Sequence, residues 1–160
     1  MNAKDAIKIA IDTGRMISLG YIEDLTDQEL LHRPAKGANH VNWQLGHLIA
    51  SENDMGNRAV AGSMPPLPAG FAEKYTKETA ASDDPAKFLK KAELLKVFEE
   101  QRAATLQALD RQSEADFDKP TGVEYAPTVG AMFSMHGTHW VMHAGQWAVV
   151  RRQLGRAPLF

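Results

Sequence analysis

The sequence predicts an all-α protein, a four-helix bundle with room for one short extra helix. Three observations predict it. Four long stretches carry apolar residues at helical spacing, no stretch alternates with the period of a strand, and the richest proline and glycine runs fall between the periodic stretches. The 160 residues fit a single domain spanning 1–160, long enough to bury a core without crosslinks.

The first helix is expected from Ala3 to about Asp24, with Ala3, Ile7, Ala10, Gly14, Ile17 and Tyr21 along one face. Arg33-Pro34-Ala35-Lys36-Gly37 interrupts the pattern, and the stretch from Asp27 to His32 can hold the short extra helix. Asn39 suits the N-cap of a second helix running to about Val60. The run from Gly62 to Gly70, with Pro65, Pro66 and Pro68, reads as a loop. Asp84-Pro85 announces the third helix as an N-cap followed by proline, and its face reads Phe88, Ala92, Leu95, Phe98, Arg102, Leu106, Leu109. A polar stretch from Ser113 to Ala126, containing Pro120 and Gly122, reads as a second loop. The fourth helix starts near Pro127-Thr128 and stops at Gly155, with Arg151 and Arg152 placed to complement the negative end of its dipole. The order in which the helices run up and down is not readable from these signals.

Composition narrows the function. A net charge of −2 and a pI near 6.3 give no basic field for nucleic acid or an anionic membrane. No apolar run approaches the ~18 residues that span a bilayer. The residues after Met1 turn charged at once, so no signal peptide is expected and a cytoplasmic protein is. Cysteine is absent, which removes disulfides, thiolate ligands and a cysteine nucleophile together. Any transition-metal site must therefore use imidazole and carboxylate.

The fourth helix breaks the amphipathic rule. Its inward stripe reads Met132, His136, His139, His143, Gln146, Val150, and the four polar members fall within roughly 80° on the helical wheel. Phe133, Trp140 and Trp147 flank them. The second helix repeats the anomaly with His40, Gln44, His47, Ser51 and Asp54 beside Val41, Trp43, Leu45 and Leu48. Buried polar groups need partners, because each one left unsatisfied costs about 1–3 kcal/mol. His139 and His143 stand one turn apart and can lean toward one point, and a third imidazole from a facing helix would complete a three-nitrogen metal site. A hydrogen-bonded polar core is the alternative at this stage. His136 can be a fourth ligand, a donor to a ligand or a pocket wall, while His40 and His32 read as helix-start or surface residues. Gln44, Ser51, Asp54 and Gln146 can orient ligands or substrate, or belong to an exposed face. Trp43, Phe133, Met135 and Trp140 are candidate pocket walls.

Two segments carry a resemblance. Trp43-Gln44-Leu45-Gly46-His47-Leu48-Ile49 and His139-Trp140-Val141-Met142-His143-Ala144-Gly145-Gln146 resemble the signature segments of the DinB/YfiT-like superfamily, and Arg151-Arg152-Gln153-Leu154-Gly155 is similar to the helix end found there. The resemblance implies a metal-binding four-helix bundle, often a homodimer, with His47, His139 and His143 as ligands. It also implies thiol chemistry with low-molecular-weight thiols such as bacillithiol, mycothiol or glutathione, acting on a small-molecule substrate. Zinc or nickel is the expected metal, with iron and manganese compatible. Arg33, Arg151 and Arg152 are candidates to meet a cofactor's carboxylates. Two other readings stay in view: metal-assisted hydrolysis of a small ester, amide or lactone with Asp54 or another carboxylate as base, and a purely structural metal. A ferritin-like di-iron site is excluded, since Glu29-Leu30-Leu31-His32 is the single Glu-x-x-His pair. Trp140 after His139 excludes the H-E-x-x-H signature.

Overall fold

Asn2 and Asp5 close a reciprocal capping box, at 2.9 and 3.2 Å, that starts helix α1 (Ala3–Ile22) in the computed structural model, which describes residues 1–159. Helices α2 (Val41–Ala59), α3 (Lys91–Asp110) and α4 (Val129–Gln153) follow, with 3₁₀ turns at Glu29–Leu31, Ala72–Tyr75, Pro85–Lys87 and Glu114–Asp118. Among the described residues no strand forms, and one isolated bridge joins Pro120 to Thr128. The turn at Glu29–Leu31 is the short extra element that the sequence anticipates.

Several boundaries differ from expectation, each for a local reason. The buried stripe of α1 is Ile7, Ile11, Gly14, Ser18 and Ile22: Ile7 and Gly14 are as expected, three positions shift by one residue, and Ala3 is exposed. The N-cap of α2 is His40, not Asn39: its Nδ1 accepts from Trp43 N at 3.0 Å while Nε2 meets Ser82 O at 3.2 Å. Asp84 does cap, through a 3.0 Å bond from Ala86 N, but Pro85 opens a single 3₁₀ turn. The third long helix starts at Lys91, where Asp27 Oδ1 accepts from the Lys91 amide at 2.7 Å. At the end of α4 the expected glycine stop holds. Gly155 has φ +72°, and the amides of Gly155 and Arg156 bond back to Arg152 O and Arg151 O in a Schellman motif.

The side-chain pairings fix the order of directions. Gly14 packs on Gly137 and Arg151 reaches Tyr21 O, so α1 and α4 run parallel. Gln44 meets His143 while Met55 clusters with Met132, so α2 runs opposite to α4. Asn42 bonds Leu89 O and Glu52 pairs with Arg102, so α3 runs alongside α2 in the same direction. The connection from 60 to 90 carries the chain back to the end where α2 began. The bundle is therefore up-down-down-up.

One guanidinium ties all four helices together. Arg102 of α3 donates to both carboxylate oxygens of Glu52 on α2, at 2.7 and 2.9 Å, to Ile11 O on α1 and to His136 O on α4. Thr105 Oγ1 also donates to Glu52 at 2.9 Å, and the Arg102 guanidinium lies against the Phe98 and Trp140 rings. Both charges are buried, so the pair is stable only because these bonds replace water. Apolar clusters surround it, one of them centred on Leu45, Leu48, Phe98, Trp140 and Trp147.

Candidate metal centre

His47 projects from the middle of α2, and His139 and His143 from consecutive turns of α4. Because α2 and α4 run in opposite directions side by side, the three rings converge. Their centroids are 5.4 Å (47 to 139), 5.7 Å (47 to 143) and 5.0 Å (139 to 143) apart. One nitrogen from each lies within 4.8 Å of the others, a spacing that a single ion can bridge. Trp43 stacks on His47 at 5.1 Å with the planes 7° apart and fixes that ring's orientation.

Hydrogen bonding selects which nitrogen His143 offers. Its Nδ1 donates to Gln44 Oε1 at 2.9 Å, which leaves Nε2 with the lone pair. Gln44 is itself held, since the same oxygen accepts from Trp147 Nε1 at 2.9 Å. Its amide nitrogen donates to Asn39 O at 2.6 Å and Gln146 Oε1 at 3.1 Å. Burial pushes His139 and His143 down to about 4, with the neighbouring imidazoles adding to the effect, and burial lowers His47 as well. All three rings are thus neutral near pH 7, the state that ligates. The buried Nδ1 of His139 has no hydrogen-bond partner. Neutral, converging and partly orphaned imidazoles fit a divalent ion and need no carboxylate to complete three-point attachment.

The cluster opens onto a cleft of about 500 Å³ walled by His47, Ala50, Ser51, Asp54 and Met55 from α2, Met135, His139 and Met142 from α4, and Tyr125 from the preceding loop. Of the expected pocket walls only Met135 lines it. Phe133 and Trp140 are buried in the bundle, and Trp43 acts from behind His47. Ser51 and Asp54 reach the cleft, and Asp54 is paired with Arg58 at 2.7 Å. Gln146 touches Gln44 rather than the cleft. Met55, Met142 and Tyr125 were not singled out by the sequence. Tyr125 arrives from a polar loop that carries no periodic signal.

The remaining candidates are placed elsewhere. Arg33 staples the turn before α2 to the connection that follows α2 by bonding Asp83 and the carbonyls of Ala38, Ala80 and Ser82. Arg151 is buried and joins α4 to Asp24 and Tyr21 O, whereas Arg152 is exposed. His32 meets Gln153 at 2.9 Å, and His40 is the buried cap of α2. His136 is fully buried and does not belong to the three-nitrogen cluster.

No curated protein matches the chain. The profile of the DinB superfamily matches residues 10–147, which takes in all three clustered histidines and all four long helices in large part. On that match, the chain belongs to the DinB superfamily.

Proposed function

We propose that this protein is a metal-dependent enzyme that holds one divalent ion, zinc or nickel, on His47, His139 and His143 and carries out thiol-dependent S-transfer. The observation that carries the reading is the position of the histidine cluster on the wall of an accessible, largely apolar cleft. A purely structural ion has no need of such access. When bound, the ion supplies Lewis acidity that brings a coordinated thiol's pKa toward neutrality. The chain's own residues do the rest. Three neutral imidazoles leave the ion's charge uncompensated, Gln44 and Trp43 hold two of the rings, and Met55, Met135 and Met142 offer polarisable surface to an apolar electrophile. With no cysteine in the chain, the thiol comes from solution.

Thiol transfer is favoured over hydrolysis by the state of Asp54. Among the described residues it is the one carboxylate on the cleft wall, it is exposed, and it is engaged with Arg58, which competes with a role as base. Homodimerisation and a cytoplasmic location belong to the same proposal, and sedimentation equilibrium reads the first.

The deciding experiment measures metal content by mass spectrometry on protein purified without a nickel column, for wild type and His143→Ala. About one equivalent, lost in the variant, is expected, followed by metal-dependent conjugate formation in a screen of small thiols against electrophiles. Failure to take up any metal on titration would end the reading. Chelator-sensitive ester or lactone turnover without thiol would replace it with hydrolysis. Loss of thermal stability on chelation, with no turnover of either kind, would leave a structural ion.

A further inference from the structure

His136 is an anomaly that the three-histidine centre does not absorb. It is 0 % exposed, and neither Nδ1 nor Nε2 has a hydrogen-bond partner. A neutral imidazole carries one N–H and one lone pair, so both of its polar functions are stranded in the bundle interior. One turn later the Nδ1 of His139 is buried and stranded in the same way. Side chains on a helix lean toward its N-terminus, so the base of the His139 ring leans back over the turn that bears His136. His136 is close enough to Glu52 and Arg102 for both charges to act on its ring, yet neither bonds it. Glu52 is held by Arg102 and Thr105: Oε1 accepts from both, and Oε2 accepts from Arg102 alone.

We propose that His136 is a positioning residue of the metal centre, acting through one buried water held between its ring and His139 Nδ1. His139 Nδ1–H donates to the water, and the water donates one O–H to the lone pair of His136, so each ring gains one of the partners it lacks. A buried site with two or more polar partners is the kind that retains a water. His139 Nε2 is then left with its lone pair toward the cleft, as Gln44 leaves His143 Nε2. The two α4 ligands would be oriented by different devices: an amide side chain from α2 for one, and a histidine–water pair for the other. This inference rests on the reading that the three histidines hold an ion.

Long-range ¹H–¹⁵N correlation spectra of the zinc-loaded full chain test it without a variant. His139 is expected to be protonated on Nδ1, with a slowly exchanging N–H on His136. A high-resolution crystal structure is expected to show a water within about 3.2 Å of both rings. His139 found protonated on Nε2, or no water between the rings, overturns the proposal. In a second arm, His136→Phe keeps a ring but removes both nitrogens, and zinc affinity by chelator competition is expected to fall about 10–100-fold. His136→Gln, which retains a donor and an acceptor, is expected to recover part of that loss and serves if His136→Phe does not fold. Wild-type affinity in either folded variant overturns the proposal. Wild-type protein that takes up no zinc overturns the metal-centre reading as well, whereas zinc-loaded protein with the wrong His139 tautomer overturns this inference alone.

Discussion

At the scale of single residues, Gln44 does more for the candidate centre than any residue outside the three histidines. It is 1 % exposed, and both ends of its amide are used: Oε1 accepts from His143 and Trp147, and Nε2 donates to Asn39 O and Gln146. Gln44→Leu keeps the volume and strands two buried N–H groups. A loss of about 1–3 kcal/mol of stability in urea titrations is expected, with zinc affinity falling about 10–100-fold. Gln44→Glu, which keeps the acceptor, should retain more of both. The histidines themselves give the metal-free protein a pH dependence. His40, His136, His139 and His143 are pushed by burial from an ordinary 6.5 down to about 4. Between those values the unfolded chain binds protons that the folded chain refuses, so their contribution is complete above pH 6.5 and is lost as pH falls toward 4. Melting temperature measured with chelator present is expected to drop through that window, and a flat profile would contradict the burial of these rings. The histidine stripe was legible in the sequence because polar residues in an apolar sector are conspicuous. Tyr125 and Met142 were not legible, because a loop residue and an outward methionine acquire meaning only when a neighbouring helix supplies the opposite wall of the cleft.

At the scale of elements, the contact between α1 and α4 depends on the absence of two side chains. A Cβ on Gly14 would lie 2.6 Å from Gly137 O and 3.0 Å from Gly137 Cα, and one on Gly137 would collide with the carbonyl of Ala10. These are backbone atoms and cannot swing aside. Gly14→Ala is expected to cost about 1–3 kcal/mol by forcing the helices apart. Gly145, on the outer face of α4, meets nothing within 4 Å. Gly145→Ala is expected to add up to about 1 kcal/mol through helix propensity alone. Chemical denaturation of the two variants reads this contrast, and equal effects would mean that the helices are not in contact at Gly14. Element boundaries show how local signals are overruled. Asp84-Pro85 is a true helix-start signal, yet it yields one 3₁₀ turn, because Phe88 then turns inward to pack on His40 and Tyr75. The third helix begins only where Asp27 can cap it from a distant part of the chain.

At the scale of the whole molecule, the Glu52–Arg102 pair joins the four helices and stands behind the candidate metal centre. Breaking a buried pair from one side leaves the other charge uncompensated, so Glu52→Ala is expected to cost about 3–5 kcal/mol. Calorimetry on the variant checks this, and a cost near zero would mean that water reaches Arg102. Arg102 appeared in the sequence as an interruption in the apolar stripe of the third helix, and nothing within that helix identified its partner. Helix number, approximate extents and the two histidine-bearing stripes were determined by the sequence alone, since each rests on periodicity or on residue chemistry within a few turns. The trio His47, His139 and His143 was named by the family resemblance and brought together by the fold. The up-down-down-up order, the identity of the cleft walls, the role of Gln44 and the isolation of His136 were decided only by the tertiary structure. Each of these depends on which faces of separate helices meet, and long connections such as 60–90 place no local constraint on that choice. Burial then acts on the result, turning a row of polar residues into neutral, oriented imidazoles.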